Sequence, residues 1–491
     1  MVNRKLCAGI VTLVMALNTS YSFAITLEEA TYIAIENSPQ VRQSIAKYRE
    51  GLENSLLTQS GYRPSVDISA GIGRETTYSN SNVNLTRREL ALSLTQPLFN
   101  GFKTKHEIER VNSETEADRW KALISVENTA LQVAESYADV LRFRELVALA
   151  DLNLETHERI YSQIKLKSDS GIGRQSDFSQ ITARLAKAHS NRLAAINNLR
   201  DAESQYKHTV GELPPQEMIY PVPDRDMLPD SLEEAIQASL IQNPALEGAN
   251  WDVRATESVQ QTALSSNYPT VDFILERTWN NNLDGSQGPS EDLLAMVRLK
   301  YNLYRGNADK QRYAVSTQQN IQATEIRRNT LRDIELTVRL SWAAYKATVE
   351  QKQHIRQHVI ATKESQLAYE KQFRLGRRTL LDVLDSENEL FQSRQDYVNA
   401  DYDELFAEFR IFNAKGELMR AFRIYRPELL GFEDEFEEDA QILTGASAIE
   451  ELQAAESALP LEAPIDTPPS TKPNIEDELF IDVPDAENTG W

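Results

Sequence analysis

Thr26-Leu27-Glu28-Glu29-Ala30 opens a stretch that runs to Gly101, and the same register returns as Ser231-Leu232-Glu233-Glu234-Ala235 through Gly306. Pro39 has its counterpart in Pro244, and Pro64-Ser65-Val66-Asp67 in Pro269-Thr270-Val271-Asp272, each displaced by 205 residues. Matched Pro, matched Gly and a matched apolar pattern without a single insertion indicate two copies of one structural unit. The expected organisation is a first repeat over 25–230 and a second over 231–426, with strand pairs near 64–100 and 269–305 and helical hairpins over 102–210 and 307–415.

Outward from the repeats, the ends of the chain differ in character. Arg4 and Lys5 precede the apolar run Leu6 to Leu17, and Ser22-Phe23-Ala24 is a small-x-small cleavage site, so 1–24 reads as a secretory signal peptide. No later stretch approaches the roughly 20 consecutive apolar residues of a transmembrane helix, so membrane entry requires strands. Cys7 is the only cysteine and lies inside the signal, which excludes a disulfide or thiolate metal site from the mature chain. From Pro427 to Trp491 there are 18 acidic residues against one Lys, a balance of −17 out of the chain's −22, so only −5 is left for everything before it. Rich in Pro and poor in large apolar residues, 427–491 is expected to be a disordered acidic tail. The folded body lacks the basic stripe of a nucleic-acid binder.

Residues 102–170 and 307–375 contain neither Gly nor Pro, and as helices each would reach about 100 Å. In the first, Val126, Val133, Val140, Val147, Leu154 and Tyr161 recur every seven residues, the spacing of a left-handed supercoil seam. The second keeps Leu331, Val338, Tyr345 and Val359 but carries Lys352 and Gln366 at the remaining places, so its seam is weaker. Gly171-Ile172-Gly173 and Gly376 end the rods, and return helices follow. The other end reads as strands. Val66, Ile68, Ala70 and Ile72 alternate with polar or small residues, as do Leu90, Leu92 and Leu94, and Leu293 to Tyr301 repeat the pattern. Residues 76–87 and 280–290 read as exposed loops. Strands with one apolar and one polar face suit an outer-membrane barrel or a small sheet packed on helices in water. Four strands cannot close around a pore, and open edges in hydrocarbon cost several kcal/mol per unpaired group, so a barrel requires several copies of the chain.

Taken together, the duplication, the Leu-Glu-Glu-Ala openings, Asn37-Ser38-Pro39 with Asn243-Pro244, Gln96-Pro97-Leu98-Phe99-Asn100-Gly101 with Asn302-Leu303-Tyr304-Arg305-Gly306, and Leu375-Gly376-Arg377-Arg378-Thr379-Leu380-Leu381-Asp382-Val383-Leu384-Asp385 resemble the TolC-like outer-membrane channel family over residues 26–420. The resemblance implies an α+β, mainly α fold. Three chains would form a helical barrel in the periplasm and share a 12-stranded outer-membrane β-barrel, four strands from each. It implies a homotrimer in outer-membrane lipid that meets a periplasmic adaptor protein and receives cargo from an inner-membrane ABC or other transporter. The turn residues Gly171, Gly173, Arg174, Gly376, Arg377 and Thr379 would lie at the tip, where an adaptor docks. Asp382 and Asp385 match the family's gate motif and would place six carboxylates around a threefold axis, a ring that favours cations. Arg378 matches the gate arginine. Phe373 stands where the best-known member has a hydrogen-bonding Tyr, and Ser179 where its first repeat offers an Asp, with Asp177 two residues earlier as a substitute.

An enzyme is not expected. The six His are scattered and no catalytic arrangement is recognisable. His354 and His358 lack the His-Glu-x-x-His pattern, and no phosphate-binding Gly-x-x-x-x-Gly-Lys loop is present. No cofactor and no metal are expected. A periplasmic helical adaptor is the competing function of another class, although an adaptor has one hairpin and this chain has two. Within the channel family the cargo is expected to be protein exported by type I secretion, with drug or metal efflux as the alternative.

Overall fold

The computed structural model describes residues 24–78, 83–423 and 448–457; the signal segment and most of the acidic tail lie outside the described residues. Each repeat begins with two short helices, α1 (Leu27–Asn37) and α2 (Pro39–Gln59), then α5 (Leu232–Gln242) and α6 (Pro244–Leu264). The duplicated Leu-Glu-Glu-Ala opening is a helix start. Thr26 Oγ1 accepts the Glu29 N–H at 3.2 Å while the Glu29 carboxylate accepts the Thr26 N–H at 3.2 Å, a reciprocal cap that satisfies two otherwise orphaned donors. Ser231 Oγ accepts the Glu234 N–H in the same way. Ser38-Pro39 and Asn243-Pro244 then stop one helix and cap the next, with Pro at a first-turn position where no N–H is needed.

Strands β1 (Ser65–Thr77), β2 (Val83–Phe99), β3 (Thr270–Asn281) and β4 (Pro289–Lys300) form one antiparallel sheet in the order β1-β2-β3-β4. The strands extend into the segments expected to be loops, because Arg74, Glu75, Arg87 and their neighbours pair across the hairpin despite their polarity. The sheet passes into the rods through consecutive left-handed residues, Gly101 (φ 69°) with Phe102 (φ 65°) and Gly306 (φ 60°) with Asn307 (φ 63°). A Cβ on Gly101 would lie 2.5 Å from the Ser265 carbonyl oxygen, so both conformation and space require glycine there.

The rods are α3 (Lys103–Asp169) and α7 (Ala308–Arg374), 67 residues each, and the returns are α4 (Gln175–Val210) and α8 (Leu380–Lys415), 36 residues each. Their bounds keep the 205-residue offset through to the end of the second hairpin. Helix α3 packs against α2, α4, α6 and α8, whereas α7 packs against α5, α6 and α8. Val126, Val133 and Val140 are fully buried, as the heptad requires, and Val359 keeps that role in α7. The two heptad exceptions are buried or half-buried polar nodes: Lys352 pairs with Asp401 and Glu404, and Gln366 donates to Glu387 at 2.5 Å. The main core sits where α1, α3, α4 and α8 converge, and includes Leu27, Tyr137, Tyr206, Phe409 and Phe412.

After the second hairpin come α9 (Leu418–Ala421) and α10 (Ala448–Ser457). Helix α10 corrects the expectation of an entirely disordered tail. Ala448 and Leu452 are buried at i, i+4 spacing; the Ile449 N–H donates to Glu145, Tyr397 donates to Glu451, and Arg394 holds Glu456 in a two-pronged pair. A segment this acidic folds because the body supplies an Arg and a Tyr to its carboxylates and a groove to its apolar face.

Candidate functional site

Two regions carry the expected chemistry, the helical tip and the sheet. At the tip, Gly171 (φ 73°) and Gly376 (φ 72°) close the rods in left-handed conformation. The Gly171 and Gly376 N–H groups donate to the Ser168 and Phe373 carbonyls at 2.9 Å, satisfying last-turn acceptors. Gly173, Arg174, Arg377 and Thr379 complete the two turns, and only the second has a side-chain cap. Thr379 Oγ1 accepts the Asp382 N–H at 3.3 Å, while Asp382 Oδ2 accepts from the Thr379 N–H at 3.0 Å and its hydroxyl at 2.8 Å. These bonds from Thr379, with Arg378 nearby, hold the Asp382 carboxyl below the ordinary Asp range.

Within the chain, the residues expected at a gate have partners on several elements. Asp385 bridges to Arg184 of α4 at 2.6 Å, tying the return helix of the first hairpin to that of the second. Arg378 stacks 4.6 Å over the Tyr369 ring, donates to Gln372 at 3.1 Å and lies 3.9 Å from Asp382. Phe373 packs beside Ile164, Ile181, Leu380 and Leu384 and receives the Lys167 ammonium at 5.3 Å from its ring. Asp177 lies in the first turn of α4, where the repeat offset makes it the counterpart of Asp382. Ser179 is exposed, and its counterpart Leu384 is fully buried.

The sheet is inverted relative to that of a water-soluble protein. Cross-strand register aligns Val66, Leu94, Leu275 and Ala295 in one row and Ile68, Leu92, Arg277 and Leu293 in the next, all on one face. That face is open: Ile68 is 73% exposed, Leu293 69% and Leu299 65%. The alternate positions Asp67, Ser93, Glu276 and Leu294, then Gly71, Glu89, Asn280 and Ser290, line the opposite, largely polar face. Along β2, Arg87, Glu89, Ala91 and Ser93 are half-buried while Arg88, Leu90 and Leu92 are exposed, so the polar face is concave and the apolar face convex. Strands β1 and β4 each have one unpaired edge. Phe99, Phe102 and Tyr268 meet edge to face at 5.2–6.5 Å where the sheet joins the rods, and Tyr62, Tyr301 and Tyr304 are exposed nearby. This is the aromatic composition of a membrane interface.

A polar cluster that sequence reading did not assemble lies between the linker, α7 and α8. Lys352 reaches Asp401 at 2.5 Å and Glu404 at 2.9 Å, Tyr220 donates to Asp401 at 2.7 Å, and Arg225 approaches Glu408 at 3.5 Å. Burial works to lower the Lys352 ammonium, but the Asp401 and Glu404 carboxylates together outweigh it and hold it above the ordinary lysine range. The one available signal was Lys352 at a heptad position. Burial pushes Glu408 up to about 7 against the pull of Arg225. An acid raised in the folded state adds stability that is fully present below its unfolded pKa and is lost as pH rises through the folded value. Thermal unfolding at pH 4.5 and pH 8 should therefore show wild type losing about 2 to 3 kcal/mol at this site across the interval. Glu408→Gln should remove that component.

Among the described residues no group of three or more His, Cys, Asp or Glu could hold a metal ion, and His358 faces Glu389 at 3.8 Å. No described helix is long and apolar enough to cross a membrane.

A family model for outer membrane efflux proteins matches residues 30–212 and 235–417. The chain is 25% identical over 395 residues to the outer membrane efflux protein BepC of Brucella suis biovar 1, covering 80% of this chain and 86% of that one. It is 22% identical over 448 residues to the outer membrane protein TolC of Escherichia coli K12, covering 84% and 87%. To the proteases secretion protein PrtF of Dickeya chrysanthemi it is 22% identical over 436 residues, covering 84% and 92%. The crystal structure of CusC superposes with a TM-score of 0.70 at 14% identity, covering 79% of this chain and 91% of that one.

Proposed function

Since the chain belongs to the outer membrane efflux protein family, we propose that three copies form an exit duct through the outer membrane and into the periplasm, carrying protein delivered by a type I secretion machine. The family places it in the outer membrane as a channel and not as an enzyme. The observation that carries the proposal is the inverted sheet: an exposed apolar convex face, a polar concave face and two open edges. Three such sheets joined β4 to β1 make 12 strands with no edge left in hydrocarbon. The repeats support the same count. Among the described residues, helix α3 lies against both α2 and α6, whereas α7 lies against α6 with no comparable second helix of that kind. Helix α7 leaves Val315, Ile321, Ile326, Leu336 and Leu340 about half exposed, and α2 leaves Leu52, Leu56 and Leu57 exposed. The α2 of a neighbouring copy completes α7.

In this reading the tip turns meet a periplasmic adaptor, an inner-membrane transporter supplies the energy, and Asp382 and Asp385 surround the narrow end. Arg378, Phe373, Asp177 and Ser179 belong to the contacts that change when the tip opens. The protein cargo is supported by the gate motif and by the likeness to a proteases secretion protein; efflux is supported by the likeness to the outer membrane efflux protein BepC. Fractionation tests the duct: heat-modifiable trimers in outer membranes are expected, and monomers released by osmotic shock would overturn it. Gene deletion separates the cargoes, since loss of surface or secreted protein follows from the first and loss of drug or metal resistance from the second. In planar bilayers the double variant Asp382→Asn, Asp385→Asn should lose cation preference and bind blocking multivalent cations at least roughly tenfold more weakly, through removal of the carboxylate ring.

A further inference from the structure

Consecutive arginines on β2 face opposite sides of the sheet and have opposite fates. Arg87, on the concave side, is surrounded by carboxylates: Glu75 at 2.9 Å, Asp284 at 3.2 Å, and Glu89. Arg88, on the convex side, is exposed and has no acidic partner among the described residues. The register places Arg88 beside Ile72 and Asn281, one row beyond Ala70, Leu90 and Trp279, and places Arg74 beside Thr86, one row further out. At about 3.4 Å per residue, these rows lie about 7 and 14 Å beyond the last leucine, at the end of the sheet away from the rods. Arg74 and Arg88 are diagonal neighbours on adjacent strands, close enough for two guanidinium groups to converge on one ligand group. Arg74 makes one neutral contact, donating to Asn84 at 2.7 Å.

The third convex arginine provides the contrast. Arg277 lies within the apolar rows and is matched internally, by Glu291 at 3.3 Å and by the Trp279 ring at 5.0 Å. Glu291 is the convex-face carboxylate of this region, and Arg277 occupies it. The fold thus neutralises Arg87 on the concave side and its deepest convex arginine, while two convex guanidiniums beyond the apolar band have no counter-charge among the described residues.

We propose that Arg74 and Arg88 form a phosphate-binding strip for the anionic glycolipid of the outer leaflet, with Ile72, Leu90 and Leu92 beneath it contacting the acyl chains. This rests on the reading that the convex face meets lipid. A lipid is favoured over a soluble anion because the two guanidiniums continue the same face as the apolar rows, so one ligand must satisfy charge above and hydrocarbon below. Arginine suits this task, since its planar fork binds phosphate oxygens in pairs and stays charged.

The experiment uses the purified full-length protein in nanodiscs containing either diphosphorylated or dephosphorylated lipid A, with lipid retention counted by native mass spectrometry. Wild type should retain the diphosphorylated form at least tenfold better. Arg74→Gln with Arg88→Gln should erase that preference, while Arg87→Gln, on the lumenal side, should keep it. Equal retention of the two lipids by wild type, or an unchanged preference in the double variant, would overturn the proposal. So would displacement of the lipid by millimolar inorganic phosphate alone, which would reveal a soluble-anion site. Heat-modifiable trimer formation, measured on the same samples, reports separately on the channel reading: trimers without lipid preference refute the strip alone, and absence of trimers refutes the membrane orientation on which it depends.

Discussion

Replacing Leu275 with Arg is expected to abolish heat-modifiable trimers in the outer-membrane fraction, whereas Glu276→Arg, one residue further along the same strand, should leave them intact. Leu275 sits in the middle of the convex rows, between Leu94 and Ala295, and an Arg at the midplane of a membrane barrel costs about 2–4 kcal/mol. A trimer incurs that cost three times, and no carboxylate shares the row of Val66, Leu94 and Ala295. Glu276 faces the polar side, in line with Ser93 and Leu294 and in the row of Asp67, where an added cation meets water. The comparison isolates the face of the sheet, because the two sites share strand and depth. Unheated and heated gel mobility, read alongside membrane fractionation, measures the outcome; equal behaviour of the two variants would show that the convex face does not meet lipid.

Lys352→Met should destabilise the helical body by about 3–5 kcal/mol, the usual cost of leaving a buried carboxylate without its counter-ion. Asp401 is 4% exposed and Glu404 13%, so removing the ammonium leaves Asp401 with only the Tyr220 hydroxyl, while Glu404 keeps Arg225 at 3.9 Å. Adding Asp401→Asn to the first substitution should recover most of the loss, since the amide keeps an acceptor for Tyr220 while removing the uncompensated charge. Thermal unfolding followed by circular dichroism reads both steps. If the double variant is no more stable than the single one, lost packing of the lysine stem, and not charge, governs the site.

The parts of this architecture that depend on neighbours in sequence were legible without coordinates. The glycines that end the rods and the heptad valines act over a few residues, so their spacing carries the message. The α10 helix was hidden for a corresponding reason: Ala448 and Leu452 are two apolar residues in a strongly acidic stretch, and composition averages them away. Their burial depends on Glu145, Arg394 and Tyr397, which lie far upstream. The Leu375 to Asp385 motif was visible as a string of residues, and Asp382 bonding back to Thr379 is its local cap, but Asp385 meeting Arg184 and Arg378 stacking on Tyr369 follow from how the hairpins pack.

By itself, the sequence determined the duplicated unit, the rods and returns, and strands with one apolar and one polar side, because periodicity and turn chemistry are local properties of the chain. Tertiary structure alone decided which side of the sheet is convex, which arginines are compensated and which are left facing outward, and how Lys352 becomes the counter-ion of two carboxylates about 50 residues downstream. Those outcomes depend on curvature, cross-strand register and helix packing, which join residues whose separation along the chain carries no signal.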